Sequence, residues 1–176
     1  MMSSRAHLLD TSYLAELYKV PGKSSELFYE KLKTRLKRAF ETKDRLWVPF
    51  PVLFELGNHI AQVADGGARH RLASRLIKDV RATIEDGTEA PLWQIMTEGG
   101  RPALLLADDL HALIHEFSTE SVPRKLGLTD TSIIRAARLL KSRLGSLCSV
   151  HIWTTDRELK SCEPDTESDP LMRIND

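Results

Sequence analysis

The chain has 176 residues, enough for one domain of ordinary size and too few for two comfortable ones. Hydrophobic residues make up 41% and charged residues 28%, a globular composition that excludes a disordered or fibrous protein. Lys plus Arg and Asp plus Glu both number 25, so no global field advertises a polyanionic partner, and apolar runs such as "ALLLA" at 103–107 fall far short of the roughly 20 residues of a membrane span.

No basic-then-apolar leader opens the chain, so the simplest expectation is a cytoplasmic protein with no membrane association. Cys148 and Cys162 stand fourteen positions apart without a CxxC or a Cys/His cluster, and read as reduced thiols rather than zinc ligands.

"AHLLD", a short apolar run ending at residue 10, predicts a strand; a helix follows through "TSYLAELYKV" until Pro21 and Gly22 break it. A second helix opens at Ser24 and Ser25, with Leu27, Phe28, Leu32, Leu36, Ala39 and Phe40 recurring at helical spacing. Residues 31–45 hold seven basic and two acidic side chains, a net of plus five, which can line a nucleic-acid path or simply face water. "RLWVPF" at 45–50 predicts a second strand. Pro51 suits the first turn of a third helix, in which Val52, Leu53, Leu56, Ile60 and Val63 form a buried stripe and Glu55, Asn58, His59 and Gln62 a polar one beside it.

Another helix is expected over about 68–85, and "APLWQIM" permits a short strand or an extended loop. Pro102 is the predicted start of an amphipathic helix, "PALLLADDLHALIHEFS", and "LTDTSIIRAARLLKSRLG" predicts another, with Ile133, Ala136, Ala137 and Leu140 on one face. "SVHIWTTD" is the last clear strand and "RELKSC" a turn of helix. The last fourteen residues carry five acids and one Arg without periodicity, and are expected to form a flexible tail.

Strands separated by helices predict an α/β domain with a parallel sheet, whose ligand site lies at the carboxyl ends of the strands. Asp10 and Asp156 each follow a predicted strand, Glu55 falls in the first turns of the helix after strand two, and Asp130 opens the helix before the last strand. Four carboxylates meeting at one sheet edge repel one another and call for a cation. A ligand set made only of oxygens favours Mg²⁺ or Mn²⁺, which in such a site activates water against a phosphodiester. Thr11, Thr154 and Thr155 can orient carboxylates or water, with Asn58 near Glu55 in a supporting place.

On these residues the sequence resembles the PIN-domain nucleases, the family that contains the VapC-type toxin ribonucleases. "LLDTS" with Asp10, "VPFPVLFELGNHI" with Glu55, "LGLTDTSIIRAARLL" with Asp130 and "HIWTTDREL" with Asp156 appear in the family's order, from residue 7 to about 160. The resemblance implies a PIN-like three-layer α/β/α domain over 1–162; the chain departs from the compact toxins in a longer, helical stretch at about 65–126, read as an insertion, and the acidic tail is 163–176. It also implies a metal-dependent nuclease acting on nucleic acid, chiefly RNA, with Asp10, Glu55, Asp130 and Asp156 as acidic ligands and Thr11 and Thr154 as accompanying hydroxyls. A separately encoded antitoxin and a homodimer are the protein partners it suggests.

Each acid also has an ordinary explanation. Asp10, Asp130 and Asp156 can cap helices, and Glu55 can complement a helix dipole. Asp108 and Asp109 are expected on the surface, His59 borders the Glu55 stripe, and His111 and His115 have i,i+4 metal spacing without a third ligand. Two further functions fit less well: a PIN-fold binding or scaffold module with little catalysis, and a haloacid-dehalogenase-like phosphatase, which needs an aspartate where Ser12 stands.

Overall fold

The computed structural model describes residues 4–84, 91–98, 101–102 and 107–171. In chain order its elements are β1 (Ser4–Leu9), α1 (Thr11–Leu17), α2 (Glu26–Glu41), β2 (Arg45–Val48), α3 (Phe50–Ala61), α4 (Gly66–Ile84), β3 (Gln94–Ile95), β4 (Thr97–Glu98), β5 (Arg101–Pro102), α5 (Ala107–Glu116), α6 (Leu128–Leu144), β6 (Cys148–Trp153) and α7 (Arg157–Lys160). Four strands form one parallel sheet in the order β3-β2-β1-β6. Ala6, His7, Leu8 and Leu9 are all buried, and because successive side chains on a strand point to opposite faces, both faces of the sheet are covered. The arrangement is α/β and compatible with three layers.

Local chemistry accounts for the element ends. Pro49 and Pro51 stop β2 and start α3, where missing N–H groups cost nothing. Gly145, at φ 61°, ends α6 in a conformation other residues adopt with strain. On α2 the seam against the core is Phe28, Leu32, Leu36 and Ala39, while Leu27 and Phe40 of the expected apolar face are 69% and 79% exposed.

Two expectations change. "APLWQIM" supplies β3, a fourth strand that pairs with Trp47 and Val48, so part of the stretch read as a helical insertion belongs to the sheet. The helix expected from Pro102 begins at Ala107 among the described residues; Arg101 and Pro102 instead pair with Glu98 and Thr97 in a small antiparallel ribbon. A two-stranded ribbon is all edge, and there a proline's missing N–H is tolerated. No helix among the described residues is long and apolar enough to cross a membrane.

The acidic segment after residue 162 also departs from a loose tail as far as Leu171. Among the described residues β6 has β1 on one side only, so its other edge presents polar backbone groups that need partners. The Val150 N–H donates to Asp165 Oδ2 at 2.8 Å and the Ile152 N–H to Glu163 Oε2 at 3.1 Å. Lys160 Nζ donates to the Ile152 carbonyl at 2.9 Å and to Glu163 and Glu167 at 2.7 Å each. Arg35 lies 4.4 Å over the Trp153 ring and pairs with Glu167. Burial alone would raise the Glu167 pKa, but the Lys160 hydrogen bond and the Arg35 and Lys160 charges bring it down to about 2. Acidic side chains thus close the strand edge where another strand would otherwise pair.

Candidate active site

The sheet order reverses at β1: the chain runs β1, β2, β3 in one direction and then returns to place β6 on the other side. Open parallel sheets bind ligands at the carboxyl ends of the strands flanking such a switch point. The residues just beyond β1 and β6 are Asp10 and the Thr154, Thr155, Asp156 run. A cavity of about 340 Å³ opens there, and Asp10, Thr11, Ser12, Glu55, Asp130, Thr155 and Asp156 all line it.

Asp10 is 7% exposed and held by four donors. The Thr11 N–H reaches Oδ1 at 2.6 Å; the Ser12 N–H, Ser12 hydroxyl and Thr154 hydroxyl reach Oδ2 at 3.3, 2.7 and 2.8 Å. The two hydroxyls in turn accept from the far strand end, Ser12 Oγ from the Thr155 N–H at 3.1 Å and Thr154 Oγ1 from the Asp156 N–H at 3.0 Å. One carboxylate therefore fixes the loop after β1 against the loop after β6. Burial pushes its pKa up, against all four hydrogen bonds.

Glu55 is half-buried on α3 and accepts from the Thr11 hydroxyl at 3.0 Å, so Thr11 links the second acid to the first. Asp130 accepts from the Gly127 N–H at 2.7 Å at the start of α6. Asp156 accepts from the Glu158 and Leu159 N–H groups at 2.7 and 3.1 Å at the start of α7. The capping explanation therefore holds for three acids, and convergence holds as well: Asp130 and Asp156 each cap with one oxygen and keep the other for the cavity, whereas Asp10 engages both.

Electrostatics records the crowding. Asp130 has its pKa raised from 3.8 to about 6, first by burial and then by the negative charges of Asp10, Asp156 and Glu55, with the Gly127 hydrogen bond opposing. Because the folded state holds this proton more tightly than the unfolded chain, stability in the absence of divalent ions should fall as pH rises from about 4 to about 6. Asp130→Asn should flatten that limb, as read by urea unfolding in EDTA at several pH values; an unchanged slope would show that the acids do not repel as placed.

All the donors around the cavity are oxygens apart from His59 and Lys23, so the chemistry of the set suits a hard divalent cation. Among the described residues no three acid, His or Cys side chains stand ready as a metal cage. The four acids share the cavity.

Of the expected supporting residues, Thr11 and Thr155 line the cavity and Thr154 lies directly beneath Asp10, at 1% exposure. Asn58 is exposed and is not among the lining residues. His59 does line the cavity, and its Nδ1 is buried with no hydrogen-bond partner among the described residues. His111 and His115 are exposed on α5, away from the acids, and the side chains of Asp108 and Asp109 lie outside the described residues. Basic residues of α2 border a different cavity, with Trp153 and Asp44. Sequence inspection missed Ser12 as a carboxylate partner and Lys23 as a lining residue. Ser12 follows Asp10 by two positions, a spacing at which Asp10 is an ordinary cap, whereas nothing local links Lys23 to the acids.

No protein-family model, curated protein or solved structure matches the chain.

Proposed function

We propose that the protein is a PIN-like, Mg²⁺- or Mn²⁺-dependent nuclease that hydrolyses phosphodiester bonds in RNA. The observation that supports this most is the meeting of Asp10, Glu55, Asp130 and Asp156 in one cavity at the switch point of a parallel sheet. Four acids drawn from four separated stretches of chain carry a repulsion that capping does not require and that a divalent cation would offset.

A bound ion supplies Lewis acidity toward the phosphodiester and an activated water. Asp10 would be its best-fixed ligand, because four donors hold the carboxylate in one orientation. Glu55, oriented by Thr11, would complete the set from the α3 side, and Asp130 and Asp156 from the starts of α6 and α7. With burial and the neighbouring acids raising its pKa to about 6, Asp130 can exchange a proton near neutrality when no ion is bound.

The alternative is a PIN-fold binding or scaffold module with little catalysis. The two readings part in a single experiment. Purified protein is incubated with a panel of single-stranded RNAs in Mn²⁺, Mg²⁺ or EDTA, and Mn²⁺ binding is followed by calorimetry. The nuclease reading expects cleavage in Mn²⁺ that EDTA abolishes; failure to bind Mn²⁺ at millimolar concentrations, with no cleavage, favours the scaffold. A role as the toxin of a toxin-antitoxin pair, with an antitoxin or a second copy as partner, rests on the family resemblance alone.

A further inference from the structure

Among the described residues that line the acidic cavity, Lys23 is the one lysine or arginine. Its place is built with care. Val20 to Lys23 form a turn in which the Lys23 N–H donates to the Val20 carbonyl at 3.0 Å, Pro21 precedes Gly22, and Gly22 has φ 76°, the pattern of a type II turn. Val20 is fully buried. The Ser24 hydroxyl also donates to the Val20 carbonyl, at 3.1 Å, and the Ser25 N–H donates to the fully buried carboxylate of Glu16 at 2.8 Å. The turn that breaks the chain between α1 and α2 therefore places Lys23, exposed overall, among the residues that line the acidic cavity.

We propose that Lys23 binds a backbone phosphate of the nucleic acid next to the phosphodiester that is cut. The proposal rests on the nuclease reading and deepens it. A divalent ion held by the acids would attract the phosphodiester that is cut, whereas the neighbouring phosphates of the strand face a rim rich in carboxylates. An ammonium at one side supplies the missing attraction and gives the site a direction along the strand, because phosphate contacts fix register rather than sequence. Its reach on a flexible four-carbon stem suits a point contact to a phosphate oxygen.

The test compares wild type, Lys23→Met and Lys23→Arg, all in Mn²⁺, on one single-stranded RNA that the wild type cleaves. Lys23→Met should raise KM or the RNA Kd by about 10- to 100-fold, the worth of one charge-assisted hydrogen bond. It should also lower the slope of log affinity against log salt by about 0.7, the signature of one lost phosphate contact on a single strand. Mn²⁺ affinity by calorimetry should be unchanged or tighter, since an ammonium repels the ion, and Lys23→Arg should restore the slope. An unchanged KM and salt slope in Lys23→Met would overturn the assignment while leaving the nuclease intact. So would a loss of cleavage that merely tracks weakened Mn²⁺ binding, which would make Lys23 a structural counter-ion. Wild type that neither binds Mn²⁺ nor cleaves any RNA would overturn the nuclease reading, and this one with it.

Discussion

On the proposed nuclease reading, Asp10→Asn is expected to lower Mn²⁺-dependent RNA cleavage by more than about 100-fold, beyond the loss that follows from disturbing a residue behind a metal ligand. The chain should stay folded, because the amide matches the carboxylate in shape and keeps one oxygen where the Ser12 and Thr154 hydroxyls donate. What disappears is the negative charge and one of the two acceptors. Asp10→Ala should behave differently. It would strand the Thr154 hydroxyl, 1% exposed, and the first N–H groups of α1, at a cost of about 1 to 3 kcal/mol in stability. Circular dichroism and urea unfolding beside the cleavage assay separate the two effects. A folded Asp10→Asn protein that cuts RNA at the wild-type rate would remove Asp10 from the site.

The largest effect on stability is expected from Lys160→Met. The Lys160 side chain is 11% exposed, and its ammonium pairs with Glu163 and Glu167, whose side chains are 7% and 15% exposed. Removing it leaves Glu167 with Arg35 and Glu163 with His151 as their remaining partners, and a loss of about 3 kcal/mol, the low end for breaking a buried pair, is expected. A loss below about 1 kcal/mol in urea unfolding, the level of a surface pair, would show that this network is solvated. The pH dependence has a definite sign. Glu163 and Glu167 have folded pKa values below the ordinary 4.5, Glu167 at about 2, so their contribution is present above about 4.5 and is lost as pH falls toward 2. Lys160→Met should weaken that acid limb. It should also loosen the segment that closes the outer edge of β6, and light scattering on the variant would detect the edge-to-edge association that follows.

Much of the site was legible in the chain. An apolar run ending on Asp10, another ending before Asp156, and helical periodicity around Glu55 and Asp130 depend on spacing and residue type, which local backbone geometry translates directly into strands, helices and faces. β1, β2, α3, α6 and β6 accordingly stand where periodicity places them, and the parallel sheet follows from helices intervening between strands.

What the sequence left open depended on partners distant along the chain. "APLWQIM" becomes a strand because the edge of β2 is there to pair with it, and two residues of pairing cannot announce themselves by period. The acids at 163, 165 and 167 read as a solvated tail because nothing beside them in sequence is basic except Lys160. Only the fold brings the unpaired edge of β6, Lys141 and Arg35 to meet them. Asn58 shares a helix with Glu55 yet faces water, a matter of a fraction of a turn that packing decides.

Composition and period by themselves thus determined an α/β chain with four acids near the ends of its elements. Tertiary structure decided that those acids share one cavity, that Asp10 is locked through Ser12 and Thr154 to the end of β6, and that Lys23 stands among them. The physical reason is range: propensity and amphipathicity act over a few residues, whereas a carboxylate's neighbours across a switch point are set by how the sheet closes the chain on itself.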